Sequence, residues 1–324
     1  MISTGMNKSL RLVADIGGTH ARFALCSSVS DIKQISVLAS DDFPSIEAAI
    51  RHYLSEHGNP RVETAVIGIA NPVLGDHIKM TNHPWAFSIE QTRKAIGLQH
   101  MYVINDFSAL ALSLPHLPRN ELTQVGGGPG AKDTPMAVVG PGTGLGVSAL
   151  IPTPKGNFVP LAAEGGHVSF SPENEQELIL WREARDEYGH VSVERLVSGP
   201  GLVFIYETLC RAQNLTPEKY SPSDISQRAI ANTDLLCRES LDMLCAILGT
   251  VASDLAVTLG ARAGVYIGGG IIKRLGSYFA QSPFRKRFEN KGRFSSYLAA
   301  IPVFVIQSQN PALLGAAAYE SADG

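Results

Sequence analysis

Several common catalytic and metal-binding signatures are missing from this sequence. The dipeptide Gly-Lys never occurs, so there is no GxxxxGK(S/T) P-loop, and neither HExxH nor GxSxG is present. The cysteines stand apart without CxxC spacing, which disfavours a zinc site or a disulfide framework and favours reduced thiols in a cytoplasmic protein. They are Cys26, Cys210, Cys237 and Cys245.

Charge and long apolar runs are also scarce. Charged residues make up 18% of the 324 residues and the net charge is −3, which argues against nucleic acid as a partner. The first ten residues hold no apolar segment of signal-peptide length, so export is not indicated. The most apolar long stretch, Leu241 to Ala261, carries Asp242 and Asp254. We therefore expect a buried helix there and no membrane segment.

The apolar residues, 44% of the chain, predict a sizeable core in about two α/β domains. A strand, a glycine turn and a second strand open the chain, and the same pattern recurs after a Gly- and Pro-rich boundary or crossover at 117–135. The predicted strands are 10–15, 22–26, 32–38, 65–69, 102–104, 136–139, 145–151, 158–161, 265–267 and 303–306. The clearest predicted helices are 45–57, 88–96, 107–114 and 311–320.

Asn105 and Asp106 follow the short apolar run Tyr102 to Ile104, which predicts a buried strand. In open α/β sheets, ligands bind outside the carboxyl ends of the strands, so this amide and carboxylate could meet a substrate. Alternatively, Asp106 caps the helix that begins at Phe107, since aspartate accepts backbone N–H bonds there.

Three glycine clusters could contact a nucleotide. Asp15 to Thr19 (DIGGT) can present successive N–H groups to phosphate, with Asp15 placed to hold Mg²⁺, or can form a simple hairpin turn. Gly140 to Gly146 (GPGTGLG) fits no GxGxxG register, so a Rossmann site is disfavoured. Gly268 to Gly270 could let a flat base lie on the backbone, or could mark a helix N-terminus packed on a strand.

Glu164 and His167 flank two glycines in a loop (EGGH) that suits a polyol, because carboxylate and imidazole can both bond hydroxyls. A structural loop histidine is the alternative for His167, and an exposed helix carboxylate is the alternative for Glu194. The basic cluster at 285–287, with Lys291 and Arg293, predicts a solvated face, against a contact with phosphate or nucleic acid.

Taken in order, these segments resemble the bacterial glucokinases of the hexokinase-like sugar kinases. The segments that carry the resemblance are ADIGGTHARFAL, TNHPWAFSI, INDFSALALSLP, GPGTGLGVSALI, EGGHVSFSP, GHVSVERLVSGPGL, GGGI, ENKGRF and NPALLGAAA. They run from about Leu10 to Tyr319. Each segment is modest alone, but the ordered set is highly specific.

The resemblance implies a two-domain α/β fold of the actin-like, ribonuclease H-like ATPase class, with the active site in the interdomain cleft. The small domain is expected at 10–116 plus 308–324 and the large domain at 117–307. The implied activity is ATP-dependent phosphorylation of D-glucose at the 6-hydroxyl, feeding glycolysis, with ATP and Mg²⁺ as cofactors. A cytoplasmic homodimer is expected.

The resemblance also implies roles for particular residues. The glucose contacts fall on Asn105, Asp106, Glu164, His167 and Glu194, with Asp106 as the catalytic base. The nucleotide contacts fall on Ala14, Asp15, Ile16, Gly17, Gly18, Thr19, Gly142, Thr143, Gly144, Gly268, Gly269 and Gly270, with Asp15 also the metal ligand.

Other functions remain open at this point. One is a kinase of another hexose or of an N-acetylated amino sugar, with the same machinery. Another is a non-catalytic sugar sensor, which is disfavoured because no helix-turn-helix pattern precedes Leu10. A filament-forming ATPase is disfavoured by the EGGH loop. A related sugar-kinase family carries a Cys-rich zinc motif after a similar loop, but here no cysteine lies between Cys26 and Cys210.

Overall fold

The computed structural model describes residues 10–320. Residues 1–9, which carry most of the expectation about a signal peptide, and residues 321–324, at the end of the predicted small domain, lie outside the described part. The described chain forms two compact units. The first contains residues 10–118, 158–162 and 308–320, and the second contains residues 119–157 and 163–307.

Both units combine strands and helices. The strands are β1 (Arg11–Ile16), β2 (His20–Ser28), β3 (Asp31–Ala39), β4 (Thr64–Ile69), β5 (His77–Lys79), β6 (Ala86–Ser88), β7 (His100–Asn105), β8 (Leu122–Gln124), β9 (Met136–Pro141), β10 (Leu145–Pro152), β11 (Phe158–Ala163), β12 (Gly264–Ile267) and β13 (Val303–Ile306). The helices are α1 (Ile46–Glu56), α2 (Ile89–Ile96), α3 (Asp106–Ser113), α4 (Glu175–Tyr188), α5 (Gly199–Ala212), α6 (Pro222–Ala231), α7 (Leu235–Leu259), α8 (Gly270–Leu275), α9 (Ser277–Gln281), α10 (Phe284–Glu289), α11 (Ser295–Ala300) and α12 (Pro311–Ala318).

The first unit is built on a five-stranded sheet of order β3-β2-β1-β4-β7. Strand β1 pairs antiparallel with β2 and parallel with β4, which is itself parallel to β7. Most side chains of β1 and β4 are buried, as expected for strands covered on both faces. The register pairs Ile16 with Ile69 and Ile69 with Asn105. The carboxyl ends of the three parallel strands therefore lie at one edge of the sheet.

The last helix, α12, packs on α3 and β1 of this unit. A side chain at Gly315 would collide with the carbonyl of Ala109, so the two helices approach as closely as glycine allows. The guanidinium of Arg11 donates to the carbonyl oxygens of Ala316, Ala317 and Tyr319 at the end of α12. These bonds satisfy carbonyls that a helix C-terminus leaves without internal partners.

The second unit repeats the pattern in a sheet whose strands follow the order β10-β9-β12-β13-β8. Strand β9 pairs antiparallel with β10 and parallel with β12, so β9 and β10 correspond to β1 and β2. The predicted duplication of the strand–turn–strand opening is confirmed. The Gly- and Pro-rich segment at 117–135 contains β8, an edge strand antiparallel to β13, which the sequence did not predict.

Helix α7 lies in the core of the second unit. In the described chain it is the one helix long and apolar enough to cross a membrane by length and composition, but 67% of its most apolar window is buried. It packs against α5, α6 and α10. The prediction of a buried helix in this region is confirmed.

Candidate active site

Asn105 ends β7 and is the N-cap of α3. Its Oδ1 accepts hydrogen bonds from the backbone N–H groups of Phe107 at 2.9 Å and Ser108 at 3.2 Å. The alternative in which Asp106 caps this helix is therefore wrong. Since Asn105 keeps an extended backbone while Asp106 is already helical, the capping position falls one residue earlier.

Asp106 is the first residue of α3, at the carboxyl edge of the first sheet. Its Oδ1 accepts the neighbouring N–H of Phe107 at 2.9 Å, and its side chain is half-buried. A carboxylate in the first helical turn is favoured by the helix dipole. The carboxyl group of Asp106 thus lies at the sheet edge formed by the carboxyl ends of β1 and β4.

The first glycine turn is a tight hairpin at the same edge of the sheet. The N–H of Gly17 donates to the carbonyl of His20 at 2.9 Å, and the N–H of Ser40 donates to the carbonyl of Thr19 at 3.0 Å. A Cβ at Gly18 would lie 2.7 Å from the carbonyl oxygen of Asn82. The TNHPW segment, residues 81–85, therefore packs directly against this turn. The sequence did not predict this contact. The hairpin that the sequence offered as the alternative for this turn is therefore confirmed.

Asp15 precedes this turn and faces Arg22 across the β1–β2 pair. The Nη1 of Arg22 lies 3.4 Å from the Oδ2 of Asp15. Burial raises the pKa of the Asp15 carboxyl, and the charge of Arg22 counteracts this only in part. No cluster of three or more His, Cys, Asp or Glu residues in 10–320 could hold a metal ion. A single carboxylate still fits Mg²⁺, which completes its shell with water and phosphate oxygens.

The second glycine turn joins β9 to β10. The N–H of Gly142 donates to the carbonyl of Gly144 at 2.8 Å, and the carbonyl of Gly142 accepts from the N–H of Gly199 at 2.8 Å, at the start of α5. A Cβ at Gly142 would meet nothing within 4 Å, and Thr143 is exposed. The outer side of this turn is thus open to a ligand.

The third glycine cluster lies against the second turn. Gly269, with φ of +82°, is the N-cap of the short helix α8. A side chain there would collide with the carbonyl of Pro141, and one at Gly140 would lie 2.7 Å from the carbonyl carbon of Gly268. The alternative of a helix N-terminus packed tightly on a strand is therefore confirmed. Gly269 and Gly270 remain exposed.

Glu194 lies in a short 3₁₀ turn, Val193–Arg195. Its Oε2 accepts a 2.8 Å hydrogen bond from the N–H of Leu145, the first residue after the second glycine turn. The alternative of an exposed helix carboxylate is wrong, because the residue is half-buried and not in an α-helix. Leu145 was not among the predicted site residues, since a backbone donor leaves no signal in sequence.

The EGGH loop forms another 3₁₀ turn, Gly165–His167, directly after β11. Glu164 Oε2 and His167 Nε2 lie 4.0 Å apart, and both side chains are more than half exposed. A Cβ at Gly166 would collide with the carbonyl oxygen of Leu145. Leu145 therefore contacts both candidate sugar-binding segments of the second unit.

The sequence predicted that the basic cluster at 285–287 forms a solvated face, and this prediction is wrong for two of the three residues. Arg285 donates to the carbonyls of Leu298, Ala299 and Ile301, around the end of α11. The guanidinium of Arg287 pairs with Glu177 at 2.5 Å. Each arginine side chain is 14% exposed, whereas Lys286 is exposed. Two of the three cations are thus internal structural groups.

Each unit opens on a strand–glycine turn–strand hairpin. A carboxylate lies beside the first turn, and the EGGH loop, which suits a polyol, lies against the residue that follows the second turn. This arrangement indicates a nucleotide-dependent kinase of the actin-like class. The glucokinase family model matches residues 12–323. The chain therefore belongs to the glucokinase family.

Individual relatives agree with this assignment. The chain is 52% identical to a glucokinase of Chromobacterium violaceum over 98% of its own length and 91% of the relative's. A glucokinase crystal structure from an Antarctic psychrotroph is 35% identical, with a TM-score of 0.87 over 96% of this chain and 98% of the other. A ROK family glucokinase from Streptomyces griseus, solved with glucose and AMPPNP, is 22% identical and shares the fold, with a TM-score of 0.63 over 95% and 98%.

Proposed function

We propose that this protein phosphorylates D-glucose at the 6-hydroxyl with ATP, giving glucose 6-phosphate and ADP. The observation that carries the proposal is the edge of the first sheet, where the DIGGT turn and the Asn105–Asp106 pair follow parallel strands in register. A phosphate-type turn and a carboxylate at one sheet edge suit transfer of a phosphoryl group to a hydroxyl.

Asp106 acts as the general base in this proposal. Its carboxylate accepts the proton of the 6-hydroxyl as that oxygen attacks the γ-phosphorus, and the bond to the β–γ bridging oxygen breaks, releasing ADP. Asn105 directs its Nδ2 to a sugar hydroxyl, because its Oδ1 is engaged as the cap of α3. The cap thus fixes which face of the amide meets the sugar.

The sugar is further held by Glu164, His167 and Glu194, whose carboxylates and imidazole bond the remaining hydroxyls. A site built to bond a given hydroxyl rejects an epimer that leaves its polar groups unpaired. We therefore assign glucose as the preferred hexose, with fructose and galactose as poor substrates.

Nucleotide binding is assigned to the glycine segments. Ala14 to Thr19 and Gly142 to Gly144 bind the phosphates through backbone N–H groups, and Gly268 to Gly270 lie near the adenosine. Asp15 would hold Mg²⁺, which supplies charge neutralisation on the phosphate oxygens when bound. Arg22 keeps the carboxyl of Asp15 oriented along the β1–β2 pair.

The remaining assignments are a cytoplasmic enzyme, a place in glycolysis and a homodimer. The small domain is assigned to residues 10–116 plus 308–324 and the large domain to 117–307. Glucose and MgATP are the only partners that the proposal requires, and neither nucleic acid nor a membrane has a part in it.

A sugar panel tests the proposal most directly. ADP release would be measured with ATP and, in turn, glucose, fructose, galactose, mannose and N-acetylglucosamine, with a sugar-free reaction as control. We expect kcat/KM for glucose to exceed that for fructose and galactose by about tenfold or more. Comparable kcat/KM values across these sugars, or rapid ATP hydrolysis without sugar, would contradict the proposal.

A further inference from the structure

The peptide that follows the second glycine turn is bonded to a candidate sugar ligand. The N–H of Leu145 donates to Oε2 of Glu194 at 2.8 Å, although the residues are 49 positions apart. Both belong to the second unit. Hydrogen bonds to an ionised acceptor are among the stronger ones in proteins. The phosphate turn and the sugar carboxylate are therefore joined by a direct bond.

Gly144 makes this bond possible. A Cβ at Gly144 would collide with Oε2 of Glu194, so the carboxylate occupies space that only glycine leaves. Gly142, two residues earlier in the same turn, faces open space instead. A methyl group added at position 144 would therefore have to displace the carboxylate of Glu194.

Leu145 is itself held rigidly. Its side chain is buried, and it pairs with Pro141 in the antiparallel β9–β10 ladder. Its carbonyl oxygen faces Gly166 of the EGGH loop so closely that a side chain at Gly166 would collide with it. One buried peptide segment thus contacts both proposed sugar-binding segments in this unit.

We propose that Gly144 and the N–H of Leu145 are positioning groups that hold Glu194 ready for the sugar and make each substrate site depend on the other. This inference rests on the function proposed above. Oε2 is fixed by the phosphate turn, which leaves Oε1 for a sugar hydroxyl. A ligand group that is already ordered loses less conformational freedom on binding. Conversely, the carboxylate holds the turn in the shape that receives phosphate.

The first arm of the test changes the phosphate turn and measures the sugar. Glucose affinity is determined by calorimetry without nucleotide for the wild type, Gly144→Ala and Thr143→Ala. The added methyl in Gly144→Ala displaces Glu194, so we expect glucose affinity to fall about tenfold, the value of one charge-assisted hydrogen bond. Thr143→Ala is the matched control in the same turn, and its glucose affinity should equal the wild-type value.

The second arm changes the sugar site and measures the nucleotide. AMPPNP affinity is determined without sugar for Glu194→Ala, Glu194→Gln and His167→Ala. Glu194→Ala leaves the N–H of Leu145 without its acceptor, and we expect AMPPNP affinity to fall about tenfold. Glu194→Gln keeps an acceptor oxygen and should retain AMPPNP affinity. His167→Ala removes a proposed sugar ligand that takes no part in the Leu145–Glu194 bond, and this variant should also retain AMPPNP affinity.

Two results would overturn the inference: unchanged glucose affinity in a folded Gly144→Ala protein, or equal AMPPNP affinity in Glu194→Ala and the wild type. If circular dichroism shows that Gly144→Ala does not fold, the Glu194→Ala and Glu194→Gln pair decides the outcome alone. Failure of the proposed function would look different. The wild type would then neither bind nor phosphorylate glucose, while the AMPPNP arm would still report the Leu145–Glu194 bond.

Discussion

The Oδ1 of Asn105 accepts the N–H of Phe107 at 2.9 Å, and this bond fixes the residue that lies between them. Asp106 is held in the first turn of α3 because the chain leaves the strand at Asn105 and enters the helix at once. The cap therefore holds the side-chain amide of Asn105 and the carboxylate of Asp106 in a defined position relative to each other. The sequence offered capping by Asp106 as an alternative to catalysis. In the structure Asn105 is the cap, and it positions Asp106 for the proposed catalytic role.

Replacing Asn105 tests the two roles of this residue. Asn105→Ala should lower the free energy of unfolding by about 1 kcal/mol, the usual cost of losing a helix cap, and should also raise the KM for glucose. Urea denaturation and steady-state kinetics measure the two effects. Ser45→Ala is a matched control, because Ser45 caps α1 through the N–H of Ala48 at 3.2 Å. Ser45→Ala should lose similar stability with an unchanged KM. An unchanged KM in Asn105→Ala would show that its amide does not bind the sugar.

The ion pair of Arg287 with Glu177 should be essential for stability and neutral for chemistry. The side chain of Glu177 is 1% exposed, and its carboxylate also accepts from Asn174 and from the N–H of Glu173. Glu177→Ala should therefore cost about 3–5 kcal/mol, because it removes the closer carboxylate partner of a largely buried guanidinium. The remaining partner, Glu173, lies 3.6 Å from Arg287. Denaturant titration measures this cost, and the folded fraction should keep normal kcat.

A more exposed ion pair in the same unit gives the control for this prediction. Lys291 and Asp254 lie 2.6 Å apart, and the carboxylate is 57% exposed. Asp254→Ala should cost no more than about 1 kcal/mol, since exposed pairs contribute little. Equal losses in Asp254→Ala and Glu177→Ala would show that burial of the pair has no special weight.

Buried thiols should make the protein less stable in alkali. Burial in helix α7 raises the pKa of Cys245 to about 12. Because this pKa lies above that of the unfolded chain, the stabilising contribution is complete below about pH 9 and is lost as the pH rises towards 12. Each such group lowers the free energy of unfolding by at most about 1.4 kcal/mol per pH unit in this window.

Urea denaturation at a series of pH values from 7 to 11 measures this decline. Cys245→Ala removes one titrating group, so its stability should fall less steeply above pH 9 than that of the wild type. Below pH 8 the two proteins should show parallel pH dependence. Identical slopes above pH 9 would mean that Cys245 does not titrate as its burial requires.

The order of the main strands and helices was predicted from hydrophobic periodicity and glycine turns, whereas the actin-like fold class was implied by the resemblance to the glucokinases. The strand at 303–306 was predicted at its observed bounds, and the helix at 45–57 was observed as Ile46–Glu56. Both have strong local patterns. Strand β8 was missed because its three residues, Leu122–Gln124, lie in a Gly- and Pro-rich segment and gain their structure only by pairing with β13.

The candidate site was less accessible from sequence. Residue types identified carboxylates, imidazole and glycine turns, but not which of them are bonded. The bond from Leu145 to Glu194 joins distant positions through a backbone donor, which any residue other than proline could supply. The partners of Arg285 and Arg287 could not be predicted either, because their acceptors lie in segments that are brought close only by the tertiary fold.

The central claim is that Asp106 takes the proton from the sugar hydroxyl, and turnover of Asp106→Asn tests it most directly. The substitution keeps the size of the side chain and its place in α3, so the protein should fold and bind glucose as the wild type does. We predict that kcat for glucose phosphorylation falls about 10²–10⁴-fold, the usual loss on removing a positioned base. A kcat close to the wild-type value in a folded Asp106→Asn protein would contradict the account.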